Sequence, residues 1–596
     1  MSLPLKPLTI DSNSKQLDSK QKKFNANVLR ALEHFDLVTE WADYIASLGK
    51  LLKALQSWSP QFQNVRYYVP SPYQVSRRLT SSLSPNLPAG VHQKTLEVYT
   101  FIFEKIGQDI LASECNIWIP GILPLMTYAS MSVKSHLIDL YDNYLVQLPS
   151  STLKLLVRPM LASLLPGIDD ESSEFQPLSI KLIESLQENL ADDSLFWQTC
   201  FLVMISNKER RLGGLVWLTK KFPSMNSVPH LLSQKNKEPK NDSKADGEPL
   251  DAKALRNEAL SLLLPETKIL LTPDPGLLVR CLACCLDDGN DLLIQRGIWD
   301  LLLQRLHLDS PVLDALVSPA DKQLLIMSCC RTTLAKDMSL NRRVWNWLVG
   351  PAVAAQANTN NSVSPTVQKN DRSNQSNSEY FSIHGLQSLK AGLNSMLELE
   401  SQVTTAFSIC SAVMDRWEIG SLVVPEMFIP LLVAAHKHQY NERIIKAANS
   451  FFDSVETNII WGKLFQSIEK HEDLPLVEFV LANFNIASDE EIIVRHLPLI
   501  LLAILSIDCQ NPDCSPSSKD ERYLLCRHLL EKTPERAFVP LESSEIRTND
   551  EHNSEVLEKI SKFYCRVSDP ATSQNAEKSS NQTAPFDSHV LSLQIF

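Results

Sequence analysis

The chain has 596 residues, a net charge of −12 and 44% hydrophobic residues. A single hydrophobic core stops growing at about 250–300 residues, so this length predicts several domains or one long array of repeats. The acidic balance argues against general nucleic-acid binding, which needs a basic surface. Only 16 glycines are present, less than half the usual share of about 7%. Sandwiches, barrels and dinucleotide-binding folds need more glycine for their turns, so helices are favoured.

The cysteines and the apolar runs indicate the compartment. Twelve cysteines are too few for a disulfide scaffold in so long a chain, and several stand inside apolar helical patterns, which predicts a reducing cytosolic environment. The first residues lack the apolar core of a signal peptide. The longest apolar run, Leu497 to Ile507, is far shorter than the ~20 residues that a membrane-spanning helix requires. We therefore expect a soluble or peripheral protein.

Polar stretches divide the chain, because they hold too few apolar residues to form a core. The predicted order is a flexible lead at 1–23, helical repeats at 24–222, a disordered linker at 223–254, helical repeats at 255–354, a second linker at 355–380, further helical repeats at 381–567 and a mostly disordered tail at 568–596.

Apolar residues recur in the repeat segments with the period of an amphipathic helix. The pattern is clearest over 133–148, where Leu137 and Tyr141 begin one apolar stripe, and it returns over 293–306 and 382–417. No sustained alternation of period two accompanies a hairpin turn, so strands are not predicted.

The predicted helices come in pairs. A helix at 117–129 is followed by the one ending at Leu148, and a second pair is predicted at 152–165 and 174–190. Helix pairs of roughly 35–45 residues, each apolar on one face, are typical of HEAT and armadillo repeats. We therefore predict an all-α fold, an elongated α-solenoid of HEAT/armadillo-like helical hairpins with disordered inserts. An irregular all-helical globule is the alternative.

No short motif of a common enzyme is present. The patterns G-x-x-x-x-G-K-[ST], G-x-G-x-x-G, G-x-S-x-G and H-E-x-x-H do not occur. Cys281, Cys284 and Cys285 resemble half a zinc site without its second half, and core packing explains them better. His436 and His438 follow an apolar run, where basic residues favour a helix end. We predict a non-enzymatic protein with no catalytic residue, cofactor or metal.

Basic residues flank the apolar segment Leu212 to Leu218. Near an anionic membrane each cation contributes about 1 kcal/mol, so such a cluster would attract acidic lipids weakly and would need a second anchor. Ordinary solvated charge or intramolecular pairing is the alternative. The candidate lipid-binding or partner-binding residues are Lys208, Arg210, Arg211, Lys220 and Lys221.

Several segments in a fixed order resemble the N-terminal region of the Dopey family. They are Glu40–Asp43 (EWAD), Leu48–Lys50 (LGK), Pro70–Leu79 (PSPYQVSRRL), Leu83–Tyr99 (LSPNLPAGVHQKTLEVY), Met131–Lys134 (MSVK), Arg211–Leu218 (RLGGLVWL), Leu293–Gly297 (LIQRG) and Asp337–Arg343 (DMSLNRR). They are spread in order across roughly residues 24–351, and residues 385–567 look like a continuation of the same architecture. Dopey proteins are considerably longer, so the sequence looks like an N-terminal portion or a shortened gene model.

The resemblance implies a cytosolic protein on the cytoplasmic face of Golgi, trans-Golgi network and endosomal membranes. It implies a scaffold or adaptor in protein traffic between late Golgi and early endosomes, in complex with a large Sec7-related HEAT-repeat protein and linked to a phospholipid flippase. Roles in fungal cell polarity and morphogenesis are also implied, and no catalytic residue carries over. A generic soluble cargo carrier or transport receptor is the alternative. A helical enzyme would require ionisable side chains with displaced pKa values to converge in a pocket.

Overall fold

A computed structural model describes residues 18–38, 40–60, 66–225, 263–289, 291–350, 377–469, 474–486, 489–510, 516–538 and 554–567. These residues contain helices and no strand, so the predicted all-α class is confirmed. The chain forms two compact units. Unit 1 comprises Met1–Leu306 with Ala315–Val317, and unit 2 comprises His307–Asp314 with Ser318–Phe596.

Unit 1 is a succession of helices that pack mainly against helices close to them in the chain. For example, α2 packs on α1 and α4, and α9 packs on α7, α8, α10 and α12. The helices are α1 Ser19–Glu33, α2 Trp41–Gln56, α3 Pro72–Ser82, α4 Ala89–Ser113, α5 Cys115–Trp118, α6 Met131–Leu140, α7 Ser150–Leu164, α8 Gln176–Leu190, α9 Asp193–Ser206, α10 Arg211–Lys221, α11 Pro265–Leu271, α12 Pro275–Leu286 and α13 Leu292–Arg305.

Helix α1 begins earlier than the sequence predicted. A capping box starts it at Ser19: the Asp18 carboxylate accepts from the backbone N–H of Ser19 at 2.7 Å, and the Gln21 side chain accepts from the backbone N–H of Asp18 at 3.0 Å. The predicted flexible lead is therefore wrong for residues 19–23, which are helical. Residues 1–17 lie outside the described part of the chain.

The predicted helix at 117–129 is also corrected. Helix α5 ends at Trp118, and a 3-10 turn at Leu123–Thr127 follows. Pro120 and Pro124 interrupt the segment, because proline has no N–H to continue a helical ladder. The next predicted helix is real, but it changes at Tyr141 from α6 into a single π-helical turn, Tyr141–Leu145.

Unit 2 repeats the same manner of packing. Helix α18 is its central element and contacts α16, α17, α19, α20 and α21. The helices are α14 Pro319–Thr332, α15 Met338–Val349, a helical stretch at 377–384, α16 Leu386–Leu397, α17 Glu400–Met414, α18 Trp417–Lys437, α19 Glu442–Phe452, α20 Thr457–Glu469, α21 Leu474–Asn483, α22 Leu497–Gln510, α23 Pro516–Lys532 and α24 Ser554–Val567.

Two expectations for unit 2 need correction. The stretch 382–417, which has no proline, is divided between separate helices, because the chain turns at Leu399, whose backbone is extended. Helix α18 is 21 residues long and apolar enough to cross a membrane, although the sequence predicted no such helix. More than half of the most apolar 18-residue stretch of this helix is buried inside the structure, as is also found for core helices of soluble proteins.

The predicted linkers begin or end inside ordered structure. Residues 223–225 belong to unit 1, where the backbone N–H of Met225 donates to the carbonyl oxygen of Arg305 at 2.7 Å. Residues 377–380 are helical, and the hydroxyl of Tyr380 accepts from the backbone N–H of Asp309 at 3.1 Å. The remaining linker residues, 226–254 and 355–376, and the predicted tail at 568–596 lie outside the described residues.

Candidate interaction surface

Arg211, one of the five predicted surface cations, is part of the core. Its side chain is only 3% exposed, and its Nη1 lies 2.5 Å from Oδ2 of Asp288. Its Nε donates to the carbonyl oxygen of Met204 at 3.1 Å, and its Nη2 lies 3.0 Å from Sγ of Cys284. A guanidinium so enclosed cannot meet a membrane or a partner. The prediction for Arg211 is therefore wrong.

The other four cations differ in what surrounds them. Lys208 is exposed with its Nζ 3.4 Å from Asp288, and Arg210 donates to the Thr127 hydroxyl at 3.1 Å. At the other end of α10, Lys220 is exposed, and Lys221 pairs with a glutamate.

The Lys221 ion pair joins α10 to α8. The Lys221 Nζ lies 2.7 Å from Oε1 of Glu184 and 5.8 Å from the ring centre of Trp217. An 11-residue helix extends about 16 Å, so the pairs at its two ends are far apart. The structure therefore does not gather the five predicted residues into one cationic surface.

Glycines explain why the segment RLGGLVWL is buried. A Cβ at Gly213 would lie 2.3 Å from the carbonyl oxygen of Leu165, and one at Gly214 would lie 2.5 Å from Cγ of Met204. A Cβ at Gly297 would lie 2.4 Å from Cδ2 of Leu215. Two segments that carry the Dopey resemblance, on α10 and α13, thus pack against each other.

Asp169 lies against the start of α10. Burial raises the pKa of its carboxyl to about 6, although the Arg210 guanidinium, the backbone N–H of Gly213 and the charge of Lys134 act in the opposite direction. A carboxylate at a helix N-terminus stabilises the free N–H groups there. Asp169 is thus a titratable group in the packing of α10.

The cysteines that resemble half a zinc site belong to the core, as do two tryptophans of the same unit. Cys281 and Cys285 are fully buried in α12, and Cys284 contacts Arg211. Trp197 and Trp217 are buried with ring centres 6.5 Å apart. In the part of the chain that the structure describes, no three His, Cys, Asp or Glu side chains are arranged to hold a metal ion.

In unit 2, a polar cluster of three residues connects residues 307–322 to the stretch 377–384. His384 Nδ1 lies 2.9 Å from Oδ2 of Asp314, and Lys322 pairs with the other carboxylate oxygen. Burial raises the pKa of the Asp314 carboxyl, but the hydrogen bonds from His384 and Lys322 outweigh burial and hold this pKa below its usual range. The cluster therefore holds the Asp314 carboxylate between the His384 ring and the Lys322 ammonium group.

His496 is a further ionisable group of unit 2 whose pKa is displaced. It is fully buried in the π-helical turn Ile492–His496, stacked between Trp461 and Tyr564, and its Nδ1 lies 3.1 Å from the Tyr564 hydroxyl. Burial, helped by the charge of Arg495, lowers the pKa of His496 to about 3. Within unit 2, His496 and Asp314 share no hydrogen bond among the described residues.

The helix end predicted from the two histidines is confirmed. Helix α18 ends at Lys437, with His436 in its last turn and His438 at the C-cap. Nδ1 of His438 lies 3.8 Å from Glu400, and the side chain of Asn441 donates to Glu400 at 2.9 Å. These contacts join the turn after α18 to the start of α17.

Two family models cover nearly all of the described helices. The model "Dopey, N-terminal" matches residues 18–353, and the model "DOP1 middle TPR domain" matches residues 380–564. The chain belongs to the Dopey family. The predicted resemblance is confirmed, and neither model describes an enzyme family.

Curated relatives agree with this assignment. Protein DOP1 of Saccharomyces cerevisiae is 62% identical over 100% of this chain and 35% of its own length. Protein dop1 of Emericella nidulans is 32% identical over 92% of this chain and 31% of its own length. The Protein DOP1 homolog of Drosophila melanogaster is 28% identical over 77% of this chain and 16% of its own length. The chain thus spans about a third of its fungal Dopey relatives. No solved structure matches it.

The family domains and the compact units divide the Dopey chain at different points. The N-terminal family model runs through α14 and α15 to residue 353, whereas unit 2 already begins at His307. Within unit 2, α14 packs on α16, and a Cβ at Gly392 would lie 2.4 Å from Cγ of Met327. The middle domain is described as TPR rather than HEAT/armadillo-like, and both are arrays of helical hairpins.

Proposed function

We propose that this Dopey protein is a non-enzymatic scaffold in protein traffic between late Golgi and early endosomes. We propose further that it acts on the cytoplasmic face of those membranes in complex with a large Sec7-related HEAT-repeat protein, with a link to a phospholipid flippase. The observation that carries the proposal is the 62% identity to Protein DOP1 over the full length of this chain. The longer relatives contain further regions, so the proposal concerns the whole protein to which these residues correspond.

The helical architecture supports a binding role. Helical repeat units present extended surfaces that suit large protein partners, because each helix pair exposes one face along the array. Burial among packed helices explains the raised pKa of Asp169 and the lowered pKa of His496, whereas a general acid–base site holds such groups beside a substrate. These features favour a scaffold over a helical enzyme.

The proposal is tested by locating the protein and identifying its partner. A chimera of S. cerevisiae Protein DOP1, in which this chain replaces the matching third, is tagged, imaged with late-Golgi and early-endosome markers, and purified with its partners. We expect membrane localisation and recovery of the Sec7-related HEAT-repeat protein. A chimera that is wholly soluble and lacks that partner, while the unaltered protein keeps both, contradicts the proposal for this chain and favours a soluble carrier.

A further inference from the structure

The outward face of α1 carries three cations around one large apolar side chain. Lys22 and Leu29 are seven residues apart, as are Lys23 and Arg30, so each pair lies on one side of the helix. All four are exposed, and Leu29 is 43% exposed. The opposite side of α1 is buried through Phe24, Val28, Ala31 and Leu32.

These cations differ from those of α10 in their pairing. Among the described residues, no ion pair involves Lys22, Lys23 or Arg30, whereas both ends of α10 are paired with carboxylates. The exposed carboxylates of Asp18 and Glu33 lie about one turn from Lys22 and Arg30 without pairing with them, so an external anion can still approach the three cations.

Helix α3 extends the same end of unit 1. The hydroxyl of Tyr68, just before α3, donates to Oδ1 of Asn25 at 2.8 Å, and Asn25 lies one turn before Leu29 on α1. The segment before α3 is thus joined to α1, and α3 itself also packs against α1. Tyr73 is 68% exposed, and Arg77, one turn further along α3, is exposed on the same side.

The charge of this end is opposite to that of the chain as a whole. Residues 18–82 hold nine lysines and arginines against five aspartates and glutamates, a net charge of +4. The chain carries −12 in total, so the other residues carry −16. Such an asymmetry favours contact with an anionic surface at one end of an otherwise acidic protein.

We propose that the outward face of α1, with Tyr73 and Arg77 of α3, docks onto a membrane surface that contains anionic phospholipids. The cations lie near the headgroup phosphates, and Leu29 and Tyr73 enter the boundary between headgroups and acyl chains, where amphipathic aromatic rings are favoured. This inference rests on the peripheral membrane role proposed above and names the residues that contact the membrane.

The apolar residues favour a membrane over a soluble polyanion. A nucleic acid or an acidic protein segment would neutralise the cations, but it would offer Leu29 no apolar environment. A lipid headgroup layer supplies both. The attraction of a few cations is weak and falls with ionic strength, so the face works together with a protein partner.

The test is flotation of the purified 596-residue chain with vesicles of phosphatidylcholine alone, or with about 30% phosphatidylserine added. We expect binding to the anionic vesicles only, and loss of binding at about 0.5 M NaCl. The variant K22E/K23E/R30E should lower the partition coefficient by roughly a hundredfold. The control K437E/R443E/K446E makes the same change of charge on exposed residues of unit 2 and should bind like the wild type.

A second variant tests the membrane insertion of Leu29 and Tyr73 separately from the charge of the cations. L29S/Y73S leaves the charge unchanged and should weaken binding by roughly tenfold, because two apolar contacts with the membrane are lost. Circular dichroism and thermal melting of each variant establish that it is folded. Failure of the wild-type chain to bind anionic vesicles, or equal loss in the α1 variant and its control, overturns the proposal. Binding of heparin without binding of vesicles assigns the face to a soluble polyanion and overturns it as well.

The result is distinguishable from the test of the proposed function. If the chain fails to bind vesicles while the chimera still reaches Golgi membranes with its partner, the α1 surface is wrong and the scaffold role stands. If the chain binds vesicles through α1 while the chimera is soluble and lacks the partner, the scaffold role is wrong and the α1 surface stands.

Discussion

Helices α1 and α10 both combine basic residues with an apolar stripe, but a basic residue of α10 is buried whereas those named in α1 are exposed. In α10, Arg211 lies on the buried side beside Asp288, and Gly213 and Gly214 bring the backbone against neighbouring segments. In α1, the buried side is apolar, and Lys22 and its basic neighbours face outwards. A basic residue next to an apolar run therefore forms a surface only if its position falls on the exposed arc of the helix.

The two helices also differ in what packs around them. Helix α10 contacts α9, α13 and the short turn Leu165–Gly167. The carboxylates at its two ends come from Asp288, after α12, and from Glu184 of α8. Helix α1 contacts α2, α3 and the turn His34–Leu37. The difference therefore lies in the carboxylates that reach the cations of α10 and not in the number of neighbouring elements. Substitutions in the two helices test it, first through stability and then through surface charge.

The largest effect is expected from Arg211→Ala. The change leaves Asp288 without its buried partner and should lower the free energy of unfolding by about 3–5 kcal/mol, measured by urea denaturation. Lys220→Ala in the same helix removes an exposed charge and should change stability by less than about 0.5 kcal/mol. Equal effects of the two substitutions would mean that Arg211 is not a core residue.

Gly213→Ala should have the next largest effect. The new Cβ would press on the carbonyl oxygen of Leu165, which belongs to the backbone and cannot rotate away, so a loss of about 1–3 kcal/mol is expected. Gly49→Ala in α2 is the matched control, since no atom lies within 4 Å of its Cβ position. That change should stabilise the protein by about 0.5–1 kcal/mol, because alanine is the better helix former. Thermal melting of the two variants should therefore shift in opposite directions.

Asp169→Asn tests the carboxyl at the start of α10 through pH. The folded-state pKa is raised to about 6 from the usual 3.8, so the folded state binds the proton more tightly. The resulting stability is fully present below pH 3.8 and is lost as the pH rises through about 6. At pH 7.5 the variant should be about 1 kcal/mol more stable than the wild type, and this gain should shrink towards pH 5.

The control for this pH dependence is Asp170→Asn. The pKa of the Asp170 carboxyl is lowered by hydrogen bonds from the side chain and backbone N–H of Ser172, so removing its charge should give no gain at pH 7.5. A gain of the Asp169 variant that is independent of pH would contradict the assignment of the titrating group.

The smallest effect on stability is expected from K22E/K23E/R30E, the variant that should lose vesicle binding. Its three side chains are exposed and have no carboxylate partner among the described residues, so the melting temperature should stay close to that of the wild type. Differential scanning fluorimetry checks this directly. A large loss of stability would mean that the three cations of α1 have intramolecular partners, as Arg211 of α10 has.

The fold class and many helices were predictable because periodicity alone reports them. The predicted helices at 152–165, 174–190 and 293–306 differ from α7, α8 and α13 by no more than two residues at either end. Local chemistry corrects other bounds. The capping box of Asp18 and Gln21 was available in the sequence as an N-terminal signal, and it would have placed Lys22 and Lys23 on a helix.

The role of Arg211 could not be predicted in the same way. Its partner Asp288 is 77 positions away along the chain, and only the packing of α10 near the end of α12 brings the two together. The turn at Leu399 has no proline or glycine to mark it. Features that depend on tertiary contacts, rather than on spacing, are the ones that sequence reasoning missed.

The contacts of Asp309 and Asp314 with Tyr380 and His384 have a practical consequence for engineering this protein. They connect residues before position 350 to residues after position 377 inside one unit, so the two borders of the intervening stretch are fixed independently of its length. A fluorescent protein or an epitope inserted between Gly350 and Asn377 is therefore expected to leave both flanking helices in register. The site offers an internal label that spares α1.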